Sequence, residues 1–199
     1  HLAGYENFSE AVAWTYFQEG HMFYVLTFPT DNATWVYDIS VGLWHERQSA
    51  GARWRAGCFA FVFNKPLVGD LQTGNIYELD LGTYTDNGVT IVRKRVTQHS
   101  HADRKSLFYR NLEIVFEPGV GLPTGQGSDP QAMLRWSDDG GYTWSNEHWV
   151  SAGAMGQFRA RARWNKLGST RDRVWELTCS DPVKWVVTGA TAVVEVGRT

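Results

Sequence analysis

Apolar and polar positions alternate with a period of two along most of this chain, the signature of strands with one face buried. His21-Met22-Phe23-Tyr24-Val25-Leu26-Thr27-Phe28 is aromatic and β-branched, and the turn-forming cluster Pro29-Thr30-Asp31-Asn32 ends it. Thr34–Ile39 and Leu43–Arg47 flank Ser40-Val41-Gly42 and read as a hairpin. Further strands are expected at Cys58–Phe63, Asn75–Asp80 and, after the tight-turn pair Asn87-Gly88, Val89–Arg93. The second half opens on a long strand, Ser106–Phe116, followed by a Gly/Pro-rich stretch, Glu117–Pro130, that reads as a flexible loop. Strands follow near Ala132–Trp136, Tyr142–Val150, Gln157–Trp164, Val174–Cys179 and Val183–Val196. No segment keeps a 3–4 spacing for three helical turns, so the chain is expected to be all-β.

Two segments repeat. Trp35-Val36-Tyr37-Asp38-Ile39 and Asn75-Ile76-Tyr77-Glu78-Leu79 align at an offset of 40 residues, within the spacing of propeller blades. Tyr37-Asp38 followed by Trp44 resembles the end of a kelch-type blade. The expected organisation is propeller-like blades over 1–97, with a set too short to close, then a β-sandwich-like or further blade region over 98–199. The boundary is expected near Gln98, with the Gly/Pro stretch as the alternative. A first residue of His1 rather than Met reads as a fragment of a longer chain.

Composition narrows the function classes. Of 199 residues, 43% are hydrophobic and 14% aromatic, too rich a load for a disordered chain. A net charge of −2 argues against a protein that coats nucleic acid by bulk electrostatics. No apolar run approaches the roughly 20 residues of a membrane helix, and no membrane partner is expected. Cys58 and Cys179 lie far apart and outside any CxxC spacing, so buried thiols are expected rather than a disulfide or zinc site.

Four groups of residues are candidates for chemistry or contact. Ser137-Asp138-Asp139-Gly140-Gly141-Tyr142-Thr143-Trp144 fits S-x-D-x-G-x-x-W, the Asp-box of sialidases and related propellers. Its expected role is structural: Asp139 caps turn N–H groups alongside Ser137, Gly141 supplies a positive φ, and Trp144 packs on the hairpin. Arg159, Arg161 and Arg163 alternate and are expected on one face of one strand, with Phe158 on the other. A row of this kind suits salt bridges, a protein interface or nucleic-acid backbone contact better than a convergent catalytic cluster. The Arg53-Trp54-Arg55 segment has the composition of an interface hot spot, which makes Trp54 and Arg55 further interface candidates. His99, His101 and Asp103 resemble the H-x-H-x-D of metallo-β-lactamase-like hydrolases. Arg104 stands where that motif has another histidine, so the three are weak metal candidates and a polar linker is the favoured reading. No GxSxG elbow, P-loop or GxGxxG occurs.

Gly20–Pro29, Thr34–Ile39 and Leu43–Arg47, with Trp136–Trp144 and Arg161-Ala162-Arg163-Trp164-Asn165, resemble the packaged-DNA stabilisation protein of short-tailed phages, also called the tail hub or tail accessory factor. The resemblance extends over most of the chain and implies the C-terminal part of that longer protein. It implies a non-enzymatic virion protein that joins portal and adaptor to the tail needle or spikes, forms a homo-oligomeric ring and keeps packaged DNA from leaking. No cofactor is implied, contact with packaged DNA would be indirect, and the location would be the virion tail, with host cytoplasm during assembly. The alternative is a sialidase-related propeller or sandwich that binds or hydrolyses glycans; hydrolysis would need a pair of carboxylates in a cleft, and no such pair stands out.

Overall fold

The computed structural model describes residues 4–197, so His1 lies outside the described residues. The chain is all-β, with twenty strands and no α-helix among the described residues. It divides into two compact units, His1–Asp86 and Asn87–Thr199.

The first unit contains β1 (Val12–Gln18), β2 (His21–Phe28), β3 (Ala33–Asp38), β4 (Leu43–Glu46), β5 (Gln48–Ser49), β6 (Ala52–Arg53), β7 (Ala56–Val62), β8 (Lys65–Asp70) and β9 (Ile76–Glu78). β1 to β4 form an antiparallel meander, β7 to β9 a second one, and β5 and β6 a short hairpin between them. The repeated segments fall on β3 and β9, the third strand of each meander. Alternation selects the core: Tyr16, Val25, Val36, Trp54, Ala56 and Val68 are buried together, with Trp14, Phe23, Phe59 and Tyr77 packed around them. The opposite face of the first meander carries a cross-strand row of Tyr24, Tyr37 and Trp44, with the Tyr37 and Trp44 rings 5.0 Å apart. No closed propeller forms among the described residues.

A hairpin of β10 (Thr85–Asp86) and β11 (Val89–Thr90) carries the chain into the second unit through Asn87 and Gly88, both at positive φ. There follow β12 (Arg93–Val96), β13 (Ser100–His101), β14 (Leu107–Phe116), β15 (Gln131–Ser137), β16 (His148–Ser151), β17 (Ala162–Asn165), β18 (Ser169–Thr170), β19 (Asp172–Cys179) and β20 (Val187–Val196). One sheet has the order β12-β19-β15-β16, with β13 also on β19; the other is β17-β14-β18, with β20 along the second edge of β14. Their apolar faces close on one core, Leu107, Tyr109, Leu112, Ile114 and Phe116 of β14 meeting Ala132, Leu134 and Trp175. This is a β-sandwich, not a further pair of blades. A bulge in β14 at Arg110, where the register with β20 shifts, explains how Tyr109 and Leu112 both face inward despite an odd spacing.

Two expectations about boundaries change. The units divide at Asp86/Asn87 rather than at Gln98, because β12 hydrogen-bonds β19 from Arg93↔Cys179 to Val96↔Glu176. The Gly/Pro stretch is no boundary either: it joins β14 to β15 inside the sandwich. Leu122 N donates to Gly127 O (2.7 Å), Ala152 N to Pro130 O (2.7 Å) and Gln131 N to the Asp181 carboxylate (2.7 Å). The cysteines also differ from expectation. Cys179 is buried, whereas Cys58 is exposed on β7; both are free thiols.

Candidate functional site

The turn after β15 is built around one carboxylate. Asp139 accepts from Ser137 Oγ (2.7 Å), from Thr143 N (2.9 and 3.0 Å to its two oxygens) and from Thr143 Oγ1 (2.6 Å). Ser137 Oγ in turn accepts from Gly141 N (2.8 Å), and Trp144 Nε1 donates to Gly141 O (3.1 Å). Gly140 and Gly141 both have positive φ, a conformation an L side chain would strain. The Thr143 hydroxyl and amide, with the Ser137 hydroxyl, hold the Asp139 carboxyl far below the usual carboxylate range. Every one of these contacts is internal to the turn, so the carboxylate is fully engaged in shaping backbone.

The neighbouring Asp138 does something the sequence reading did not foresee. Arg173, only 2% exposed in β19, donates to both Asp138 oxygens (Nε 2.6 Å, Nη2 2.8 Å) and to Leu167 O (2.6 Å). Its guanidinium lies 4.9–5.1 Å from the rings of Tyr109, Trp136 and Trp175. Fork geometry, delocalised charge and stacking on aromatic faces make arginine suited to such a site. A second buried charge, Glu176, accepts from Arg135 Nε (2.6 Å) and pairs with Lys94 (3.4 Å). The Glu176 hydrogen bond raises the Arg135 guanidinium above its ordinary pKa. The one available sequence signal was parity: Arg173 and Trp175 are two apart on a strand and share a face.

The expected arginine row does not form. Only Arg163 lies in a strand, β17; Arg159 and Arg161 sit in the irregular stretch that leads into it. The ladder between β14 and β17 runs from Asn111↔Asn165 to Ile114↔Ala162 and stops there. All three arginines are exposed, and Arg161 Nη1 pairs with Glu113 (3.1 Å). Arg159 and Arg161 line one shallow groove with Phe158, Val115, Pro118 and Thr188, and Phe158 is 72% exposed. The structure thus joins two of the arginines to an exposed aromatic, in a loop-built arrangement.

Trp54 and Arg55 are not surface contacts. Trp54 is buried in the first unit's core, with the Arg47 guanidinium 4.3 Å from its ring. Arg55 is engaged by Asp70 (3.3 Å), Asp86 (3.1 Å) and the Tyr77 hydroxyl (3.4 Å). Arg-Trp-Arg describes a hot spot and a cation-braced core equally well, and here packing decides for the core.

His99, His101 and Asp103 do not converge. His99 Nδ1 pairs with Asp172 (2.8 Å), His101 stands opposite Asp172 in the β13–β19 ladder, and Asp103 is in a left-handed turn with Arg104. Among the described residues no three His, Cys, Asp or Glu side chains gather as a metal site would require.

The fold defines an all-β module in which a sandwich holds two buried charges, Arg173 and Glu176, each paired to a more exposed partner. Residues 92–195, just over half of the chain, match the family described as bacteriophage P22 Gp10, β-sandwich, and the chain belongs to that family. It is therefore a phage tail structural protein. No curated protein matches the chain.

Proposed function

We propose that this chain is the C-terminal part of a packaged-DNA stabilisation protein, acting in the tail hub of a short-tailed phage without catalytic turnover. The observation that carries the reading is the family match across the whole sandwich, in agreement with the aromatic-rich segments noted in both halves of the sequence. In this reading the protein joins portal or adaptor to the tail needle or spikes, assembles as a ring in its full-length form and seals DNA by contact with other proteins. The two meanders of the first unit are propeller-like blades of an incomplete set. The Ser137–Trp144 turn is an Asp-box that serves the fold. Virion assembly in host cytoplasm precedes its place in the tail.

The groove of Arg159, Arg161 and Phe158 is the contact surface that this function favours, with Arg163 beside it. Exposed arginines next to an exposed ring are what protein interfaces enrich. The test is binding of the chain to isolated portal–adaptor particles by co-sedimentation across a salt series. The double change Arg159→Glu and Arg161→Glu is expected to weaken binding most at low ionic strength, where screening is least. Binding unchanged at every salt concentration removes the groove from the interface. Release of sugar from a fluorogenic sialoside by the purified chain would replace the hub reading with the glycosidase alternative.

A further inference from the structure

β20 is an edge strand unlike the other edges of the sandwich. Among the described residues it pairs with β14 alone, from Leu107↔Val196 to Phe116↔Val187, and no strand lies on its far side, which presents a row of backbone donors and acceptors. Every residue of β20 is exposed except half-buried Val194. The other edges are protected by being short or charged: β16 and β17 have four residues each, β18 two, and β12 reads Arg-Lys-Arg-Val. Short length, cationic side chains, prolines and bulges are the devices that keep an edge from pairing with another chain. From Gly189 to Val196, β20 has none of them. Of the two irregularities in its ladder, one is a bulge carried by β14, at Arg110 opposite Val193 and Val194, and the other is at Thr188 of β20, just before this stretch.

The side chains of that stretch say what fits. Val194 packs against the sandwich core, so alternation puts Ala190, Ala192 and Val196 on the core side and Gly189, Thr191, Val193 and Glu195 on the outer side. The single charge, Glu195, is held by Arg110 (Nη2 2.8 Å). A second β20 laid antiparallel about Ala192 sets Ala190 against Val194 on the core side, Thr191 against Val193 on the outer side, and Gly189 against Glu195. Gly189 and Ala190 meet larger residues, Thr191 meets a side chain of its own shape, no like charges meet, and the core sides of both copies face the same way. The same patch is complementary to itself, the requirement of a two-fold interface.

We propose that β20 is a self-association edge: two copies of this chain pair β20 to β20, antiparallel and centred on Ala192, joining their sheets into one continuous sheet. The contact is isologous, so it is separate from any ring, and it holds whether or not the tail-hub reading does.

Sedimentation equilibrium of the whole chain tests it. A concentration-dependent monomer–dimer equilibrium is expected below about 100 µM. Thr191→Lys and Val193→Lys, each a single exposed change, should weaken it at least about tenfold, because a lysine next to the two-fold axis comes close to its symmetry mate. Far-UV circular dichroism and the melting temperature of each dilute variant verify that the fold persists. Ala192→Cys, made with Cys58→Ser to remove the exposed thiol, should give a cross-linked dimer under mild oxidation, since residue 192 faces itself. A chain that stays monomeric at about 100 µM, a dimer indifferent to both lysines, or an Ala192→Cys variant that does not cross-link would overturn the proposal.

Discussion

The two units solve the same problem, covering apolar strand faces, in different ways. In the first, a core of rings collects on one side of the β1–β4 meander: Tyr16 stacks on Phe23 at 4.6 Å and Trp14 on Trp54 at 5.4 Å. The other side keeps the row Tyr24, Tyr37 and Trp44, with Trp44 exposed. In the second, two sheets close over a mixed aliphatic and aromatic core, and two charges, Arg173 and Glu176, are taken inside while their partners Asp138 and Lys94 reach the surface. A sheet that is apolar on both faces is built to be covered on both; a closed sandwich is not. The first unit's outer face retains apolar surface of the kind found at contacts, whereas the second unit's open feature is an edge, β20.

Substitutions at four places probe the two units separately. The largest effect is expected from Trp54→Ala, which removes the ring at the centre of the first unit's core and leaves Arg47 without its stacking partner. A loss of about 3–5 kcal/mol is expected in denaturant titration, with hydrogen exchange accelerated in β1–β3 and amides of β15 and β19 unaffected. Arg173→Ala should cost about 3 kcal/mol by emptying the aromatic cage and freeing Asp138, and here β15 and β19 should lose protection. Arg173→Met, which keeps volume without charge, should recover at least half of that loss. If both Arg173 variants are equally unstable, charge rather than packing holds the sandwich.

Asp139→Asn should act more weakly and in a pH-dependent way. The folded-state pKa is depressed, so the stabilisation is fully present above the unfolded carboxyl value of about 4 and is lost as pH falls below it. The wild-type melting temperature is therefore expected to fall more steeply than the variant's between about pH 5 and pH 2; parallel curves would show that the turn's bonds do not depend on the charge. The smallest change in stability is expected from Arg159→Glu with Arg161→Glu. Both side chains are exposed, and the lost pair with Glu113 is a surface pair, so the shift should stay within about 0.5 kcal/mol by thermal melting.

Strand identity was legible where one face meets water, as in β14, whose buried and exposed positions largely alternate, and the turn of Ser137 and Asp139 announces itself by spacing. Legibility failed where alternation has another cause. Arg159-Ala160-Arg161-Ala162-Arg163-Trp164 alternates from end to end, but the β14 ladder engages only from Ala162, and the turn at Gly156, with φ of 85°, precedes it. Composition misled at Trp54, since large rings serve cores and interfaces alike. Arg173 left only its parity with Trp175 as a signal, because β19 is buried on both faces and hydropathy treats a caged, paired guanidinium as it treats a solvated one. The boundary moved because β12, a cationic strand that reads like a linker, is held by β19.

The long ladder between β14 and β20 has a consequence in time. Its partners lie between 71 residues apart (Phe116 to Val187) and 89 apart (Leu107 to Val196), so the contact order of the sandwich is high, and closing such loops slows folding. During synthesis β14 emerges early, yet one of its edges stays open until the intervening strands have been made. A nascent chain that pauses before Val187 therefore exposes an apolar template, and the rate of translation through β15–β19 sets how long another chain has to capture it.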